Sequence, residues 1–143
     1  MFDDAFAFNQ PIGAWDVGEV TSMNGMFHGA SAFDQDLEAW SVGEVTSMEN
    51  MFRDASSFNQ PLDSWHTGKI TTMNSMFRDA SSFDQDLSGW NISQVTDMSS
   101  ILASTALSNS NRLAIHASFL AQQPSLWPLA WLTLALSDWC GNP

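Results

Sequence analysis

Several features that are common in enzymes and in disulfide-rich domains are scarce in this sequence or missing from it. Cys140 is the only cysteine among 143 residues, so an internal disulfide framework and a thiolate metal cluster are excluded. We expect this thiol to be an ordinary free one, with a disulfide to a second chain as the alternative. The sequence contains no glycine-rich phosphate loop, no nucleophile elbow and no zinc-ligand spacing.

Basic residues are scarce as well. Four Lys and Arg residues stand against 16 Asp and Glu residues, which gives a formal net charge of −12. Nucleic acids and anionic lipids are bound largely through Lys and Arg, so this balance argues against both as partners. The apolar stretch 126–136 is shorter than the ~20 residues that span a bilayer. Residues 1–4 are acidic where a signal peptide needs a positive start. We therefore expect no membrane insertion and find no signal peptide.

The abundant residues form a repeat of 25 residues. Four units run through residues 1–100 without an insertion, so each unit is expected to be one turn of a regular coil. The main apolar columns are Met1, Met26, Met51 and Met76; Phe2, Phe27, Phe52 and Phe77; Phe8, Phe33, Phe58 and Phe83; Ile12, Leu37, Leu62 and Leu87; Trp15, Trp40, Trp65 and Trp90; and Met23, Met48, Met73 and Met98.

Two local patterns alternate within a unit. The first is an apolar stripe at i, i+3, i+4 and i+7, which predicts a short helix; in unit three it consists of Met73, Met76, Phe77 and Ala80. Thr71 or Thr72 stands where an N-cap would be. The second pattern, residues 61–65, predicts a brief strand that begins at or just after Pro61. Glycines predict a turn between strand and helix; they are Gly18, Gly43 and Gly68.

One unit cannot bury both sides of its Met, Phe and Trp layer, whereas a stack of four units can. We therefore predict an α/β repeat solenoid with one short strand and one short helix per unit. Equivalent Gln residues recur at the same spacing, and we expect each to hydrogen-bond to its copies above and below. The Trp column is interpreted as core, with an exposed platform for stacking sugars as the alternative.

The repeat fades after residue 102, and the sequence divides into two parts. Residues 1–104 hold four solenoid repeats and the start of a degenerate fifth, and residues 105–143 are predicted to be a helical C-terminal cap. A helix is expected over residues 112–122, stopped before Pro124, with N-cap candidates between Ser108 and Asn111. A second helix is expected over residues 128–138. This apolar segment is interpreted as folding over the last repeat, or else as meeting another molecule.

The pattern Val-Thr-x-Met-x-x-Met-Phe-x-x-Ala-x-x-Phe-(Asn/Asp)-Gln-(Pro/Asp)-Leu-x-x-Trp runs through residues 1–100. It resembles the BspA-like leucine-rich-repeat surface proteins, also described as mycoplasma lipoprotein-associated repeats. The resemblance implies a leucine-rich-repeat-like, right-handed coil, an extracellular or cell-surface setting, and a role in adhesion or recognition. It implies no catalytic residue. The chain departs from fuller members of the family because it has no signal peptide, no lipid-attachment cysteine near its start and no N-terminal cap.

No catalytic constellation is apparent from the sequence. His28 and His66 each occupy a position where the other units carry other residue types, and His116 falls in the predicted cap helix. The pairs Asp34/Asp36 and Asp84/Asp86 could hold calcium if their oxygens converged, with a solvated acidic surface as the alternative. We predict that the chain is not an enzyme and that it has no metal or cofactor site.

Two functions remain. The first is a non-catalytic scaffold that binds a protein or glycan partner through the strand-bearing face; its specificity residues would be Asp36, Glu38, Asp63, Ser64, Asp86 and Ser88. The second is a structural unit that self-associates as a homo-oligomer. It would do so through an uncovered N-terminal edge formed by Met1, Phe2, Phe8 and Trp15.

Overall fold

The computed structural model describes residues 1–126, and one α-helix lies in that range, α1 over Asn109–Gln122. The repeats that precede it contain turns and isolated parallel bridges, without a strand or a helix. The bridges join equivalent residues of neighbouring units and are Ser22–Ser47, Ser47–Thr72 and Thr72–Asp97. Each unit therefore lies parallel to the next one and in register with it.

The short helix that the sequence predicts over residues 73–80 does not form. Alternate amides of this segment leave the unit, as when Phe77 donates to the carbonyl of Ile101 in the following repeat at 2.9 Å. The amides between them close tight turns, as when Met76 donates to the carbonyl of Met73 at 3.2 Å. An α-helix needs each amide to bond four residues back within its own segment. The chain instead follows consecutive turns that share their hydrogen bonds with the neighbouring unit.

Left-handed backbone conformations explain why the apolar stripe is not helical. Two positions in each unit have φ between 52° and 67°, and an α-helix of L-residues contains none. Small or polar residues occupy both positions, and Gly, Asn and Asp adopt this conformation at the lowest cost. The first position holds Gly25, Asn50, Ser75 and Ser100, and the second holds Asp4, Gly29, Asp54, Asp79 and Ser104.

The brief strand predicted over residues 61–65 is also absent, because the amide of Trp65 closes a turn on the carbonyl of Leu62 at 3.2 Å. Pairing between units lies instead at the threonine segment. The amide and the hydroxyl of Thr71 both donate to the carbonyl of Thr46, at 2.8 and 3.0 Å. Thr71 therefore joins two units and does not cap a helix. The same two bonds run from Thr46 to Thr21 and from Thr96 to Thr71.

The glycine turns are confirmed. In unit one the amide of Val20 donates to the carbonyl of Val17 at 2.9 Å, which closes a turn around Gly18 and Glu19. The same turn recurs in the later units, between Val45 and Val42, Ile70 and Thr67, and Val95 and Ile92. Ser93 replaces glycine in the last of these turns without changing the bond.

Two columns of phenylalanine rings form the centre of the stack. Successive rings lie 5.4 to 5.6 Å apart in the column that begins at Phe2 and 5.8 to 6.2 Å apart in the column that begins at Phe8. Within a unit the two rings stack at 3.8 to 4.1 Å. Both columns are fully buried from the second unit onward. Packing of this kind adds to the free energy that area burial alone provides.

The tryptophan column belongs to the core in units two to four. Trp40, Trp65 and Trp90 are at most 3% exposed, so they offer no platform for sugar stacking. Each indole N–H donates to a backbone carbonyl of the preceding unit at 3.0 to 3.1 Å. A buried indole usually finds such an acceptor, and here the bond also fixes the register between two units.

The glutamines do not bond to one another as predicted. Gln85 donates its side-chain amide to Asn59, at 2.9 Å to both the side-chain and the backbone oxygen. The same side-chain oxygen of Asn59 accepts the backbone amide of Asp84 at 2.8 Å. The polar column therefore consists of alternating Asn and Asp acceptors, each receiving two donors from the next unit. Its members are Asn9, Asp34, Asn59 and Asp84.

Helix α1 closes the last unit by supplying the donors that a further unit would supply. Ser108 is its N-cap, within the predicted range, and the helix ends at Gln122 as predicted. Asn111 donates to both the backbone and the side-chain oxygen of Asp84, at 3.0 and 2.9 Å, as Gln85 does to Asn59. Burial alone would raise the pKa of Asp84, but hydrogen bonds from Ser108 and Asn111 outweigh it and lower that pKa.

The apolar side of α1 completes the core. Ile115 and Phe119 are fully buried in the same cluster as the repeat residues. Gln122 donates to the carbonyl of Trp90 at 3.0 Å and accepts the amide of Ile92 at 2.9 Å. No helix within residues 1–126 is long and apolar enough to cross a bilayer. The helix predicted over residues 128–138 lies outside the described residues.

We expect Asn59→Ala to lower the free energy of unfolding by ~1–3 kcal/mol, because it leaves the partly buried backbone amide of Asp84 without an acceptor and removes one of the two acceptors of Gln85. Asn59→Asp is the matched control, since Asp34 and Asp84 already fill this position in other units. Urea unfolding of the two variants measures the difference. Equal losses in both would show that the acceptor column does not hold the units together.

We also expect the protein to lose stability as the pH falls through about 6.5. Burial lowers the pKa of His116, so the unfolded chain takes up that proton more readily than the folded one and protonation favours unfolding. The urea midpoint should fall between about pH 7.5 and about pH 5.5 in the wild type and in His66→Gln, and this fall should be smaller or absent in His116→Gln. Neutralising part of the negative charge acts in the opposite direction in all three proteins. An equal fall in His116→Gln and the wild type would refute the assignment.

Candidate binding surface

The predicted specificity residues lie on the outside of the stack. Five of the six are exposed and Ser88 is partly buried; the exposed ones are Asp36, Glu38, Asp63, Ser64 and Asp86. Leu37 and Leu87 lie next to the aspartates in sequence and are fully buried in the core. Neighbouring residues thus face opposite sides, and the acidic side chains remain in solvent.

Hydrogen bonds to the backbone hold the loops that carry these side chains. One carboxylate oxygen of Asp36 accepts the amide of Glu38, and one of Asp86 accepts the amide of Ser88, both at 2.8 Å. The hydroxyl of Ser64 donates to the carbonyl of Glu38 in the preceding unit at 2.9 Å. These bonds fix the loops from which the acidic side chains extend. They do not use all of the hydrogen-bond acceptor capacity of the carboxylates.

A shallow groove of about 520 Å³ runs across this surface. It is shared by units two, three and four, and its lining residues are Gly43, Asp63, Ser64, Trp65, His66, Thr67, Gly68, Lys69, Gly89 and Asn91. Side chains added at Gly43 or Gly89 would meet nothing within 4 Å. The groove therefore exists partly because these positions lack side chains.

The polar groups of the groove come from different units. Lys69 forms an ion pair with Glu44 at 2.6 Å, and both side chains are more than half exposed. Such a pair contributes little to stability but fixes the position of the ammonium group at the rim. His66 and Asp63 are exposed at the same groove. Sequence reasoning did not place His66, Lys69 and Asn91 together, because that requires the lateral arrangement of two neighbouring units.

The groove shows no nucleophile and base in contact. The Ser64 hydroxyl is bonded to a backbone carbonyl, and within residues 1–126 no hydrogen bond joins it to His66. Nucleophilic catalysis requires such a pair within hydrogen-bond reach. Asp34, one of the acidic residues considered for calcium, accepts donors from Asn59 and Gln60, so it serves the polar column.

Comparison with known proteins gives one match. The family model described as "Mycoplasma protein of unknown function, DUF285" matches residues 1–115, which include all four repeats and the first half of α1. The chain belongs to the DUF285 family. No curated protein and no solved structure matches it. The DUF285 match shows a repeat-containing protein and leaves the activity, partner and setting of the family open.

A second cluster of ionisable groups in this DUF285 chain lies near the N-terminus. Asp3, Asp4 and His28 bring ligand atoms within 4.8 Å of one another, the only such group of three within residues 1–126. His28 bonds to Asp3 at 2.6 Å and lies 3.5 Å from Asp54. Gly29 makes room for Asp4, whose carboxylate occupies the space of the missing side chain. These groups pair with one another at an exposed surface, and we assign them no ion.

The predicted N-terminal edge is largely open to solvent. Met1 is 82% and Trp15 is 43% exposed, against 3% or less for the later tryptophans. Phe2 and Phe8 are partly buried and stack on each other at 3.8 Å. Phe6, which the sequence analysis did not select, is 63% exposed on the same unit.

We expect Gly43→Ala and Gly89→Ala to leave the free energy of unfolding unchanged or to raise it by ~0.4–1 kcal/mol, because the space is open and the unfolded chain loses freedom. Gly13→Ala is the contrasting variant, since its new Cβ would lie 2.7 Å from the carbonyl oxygen of Asp36 in the next unit. That overlap should cost ~1–3 kcal/mol. Urea unfolding measures the free energy of unfolding of the three variants. A loss of stability in Gly89→Ala would mean that the space at Gly89 is not open.

Proposed function

We propose that this DUF285 protein is a non-catalytic recognition scaffold that binds a protein or glycan partner along the groove and the acidic side chains beside it. The observation that carries the proposal is that each unit has one set of side chains that contacts its neighbours and another set that is exposed. Buried side chains and inward polar groups are occupied by contacts between units, whereas Asp63, His66 and the acidic side chains beside the groove are exposed to solvent.

The charges favour a partner with exposed cationic groups. Asp36, Glu38, Asp63 and Asp86 lie along the surface, and the chain as a whole carries a net charge of −12. A basic protein segment or a glycan with free amino groups complements such a field, and charge complementarity raises the association rate and selects against acidic partners. The width of the groove across three units suits an extended ligand.

We also propose the finer assignments that the resemblance implies. The stack of units would be a solenoid of the leucine-rich-repeat-like kind with a right-handed coil, and the protein would belong with the BspA-like surface proteins. An extracellular or cell-surface setting and a role in adhesion would follow from that relationship. Support comes from the repeat pattern of residues 45–65 and its copies and from the parallel, in-register stacking of the units.

Blocking the groove tests the proposed function. The wild-type protein is first screened on a glycan array and on immobilised matrix proteins, and the affinity for each hit is then measured by biolayer interferometry. Gly89→Gln should weaken binding at least about tenfold, equal to ~1.4 kcal/mol, by filling the groove. Gly89→Ala is the matched control and should bind as the wild type does.

Charge reversal tests the acidic rim in the same assay. Asp36→Lys combined with Asp86→Lys should weaken binding and reduce its dependence on salt, whereas Glu49→Lys, which lies at a separate cavity, should not. Unchanged affinity in both Gly89→Gln and the double reversal would refute this surface as the site. Ester or glycoside turnover by the wild type that His66→Ala abolishes would refute the non-catalytic assignment.

Self-association is the second candidate function, and the exposure of Met1 and Trp15 at the N-terminal edge favours it. Molar mass measured by light scattering over a range of concentrations tests it directly. A dimer that dissociates in Trp15→Arg would support the second function, and a monomer at all concentrations would refute it.

A further inference from the structure

The contact between one unit and the next is built from the same bonds each time. The indole of the later unit donates to a carbonyl of the earlier unit, and so do the amide and hydroxyl of one threonine, which is Thr46, Thr71 or Thr96. In the opposite direction, amides of the earlier unit donate to carbonyls of the later one, as Met23 does to Ser47 at 2.9 Å. The face that each unit turns towards the N-terminus therefore carries a fixed set of donors and acceptors.

Unit one carries the same set with no partner among residues 1–126. The indole N–H of Trp15 and the amide and hydroxyl of Thr21 lack the acceptors that Trp40 and Thr46 have. The carbonyl of Ser22 receives no amide, although the equivalent carbonyls of Ser47, Thr72 and Asp97 each receive one. The rings of Phe2 and Phe8 are stacked on the side of unit two, and their columns end there in the described chain.

We infer that this N-terminal face is a docking surface for the C-terminal face of a further 25-residue unit of the same repeat. Such a unit supplies a carbonyl for Trp15, a threonine carbonyl for Thr21, an Asn or Asp acceptor for Gln10, and phenylalanine rings for both columns. Each of these contacts is already present three times between the four units. The inference extends that interface by one step and is independent of the ligand proposed for the groove.

A second copy of this chain does not offer the matching face. The C-terminal face of unit four is covered by α1, whose Asn111 occupies the acceptor Asp84 and whose Gln122 occupies the carbonyl of Trp90. Two copies that met through their N-terminal faces would oppose one indole donor to another. The occupant that fits is a repeat unit whose own C-terminal face is free of a capping helix.

An in-register fusion tests the inference. A copy of residues 51–100 is placed directly before Met1 of the full chain, so that the copied Leu87 carbonyl takes the place that Ile12 has for Trp40. The chain has seven tryptophans, and the indole signal of Trp15 is identified by its loss in Trp15→Phe. Hydrogen exchange of that indole N–H, followed by NMR, should slow at least ~100-fold in the fusion.

The control is the same fusion with the copied Phe77 and Phe83 replaced by serine, so that the added unit cannot continue the ring columns. Fast exchange of the Trp15 indole in this control and slow exchange in the intact fusion would establish the docking surface. Fast exchange of the Trp15 indole in both fusions would overturn it. Slow exchange in the unfused chain that appears with concentration, together with a doubled molar mass, would show that a second copy covers the face and would overturn the occupant.

Discussion

The hydrogen bonds between equivalent positions of neighbouring units are the constraint on which the whole structure depends. No unit of the repeat contains a helix or a strand of its own within residues 1–126, so its alternate amides have partners only in the next unit. A buried backbone donor without a partner costs free energy comparable to a lost hydrogen bond. A single unit would therefore leave backbone amides unpaired and apolar side chains exposed. Stacking several units satisfies both.

The fixed repeat length follows from the same bonds. An added residue would displace the turn that carries Trp65 from the carbonyl of Leu37 and, at the same time, Gln60 from Asp34. Both contacts join the same two units but lie at different points around them. An insertion could be absorbed only between such contacts, and residues 1–100 contain none.

The sequence predicted which side chains are buried far better than it predicted the path of the backbone. Met73, Met76, Phe77 and Ala80 are all fully buried, as the stripe indicates. The same spacing suits a helix and a run of tight turns, and hydrophobic periodicity cannot separate them. The signal that could have done so is the recurrence of Gly, Asn or Ser at position 75 and its equivalents, because these residues tolerate a left-handed conformation.

The candidate site was predictable in part for a similar reason. Exposure of Asp36 and Asp86 follows from their place beside the buried Leu37 and Leu87. The groove does not follow from any local pattern, since Gly43, His66 and Gly89 come together only through the lateral placement of three units. The glutamine partners were missed likewise, because Gln85 bonds to Asn59, one position before its own equivalent Gln60, and the repeat spacing does not reveal that offset.

The two ends of the stack differ in a way that constrains how it can vary in length. At the C-terminal end α1 forms hydrogen bonds to Asp84, Ser88 and Trp90 of the last unit. The positions of these residues recur in every unit. The bonds at Ser88 and Trp90 are to backbone carbonyls, so among these three residues α1 depends on the side chain of Asp84 alone. The contacts of α1 are made with the last unit and do not depend on how many units precede it.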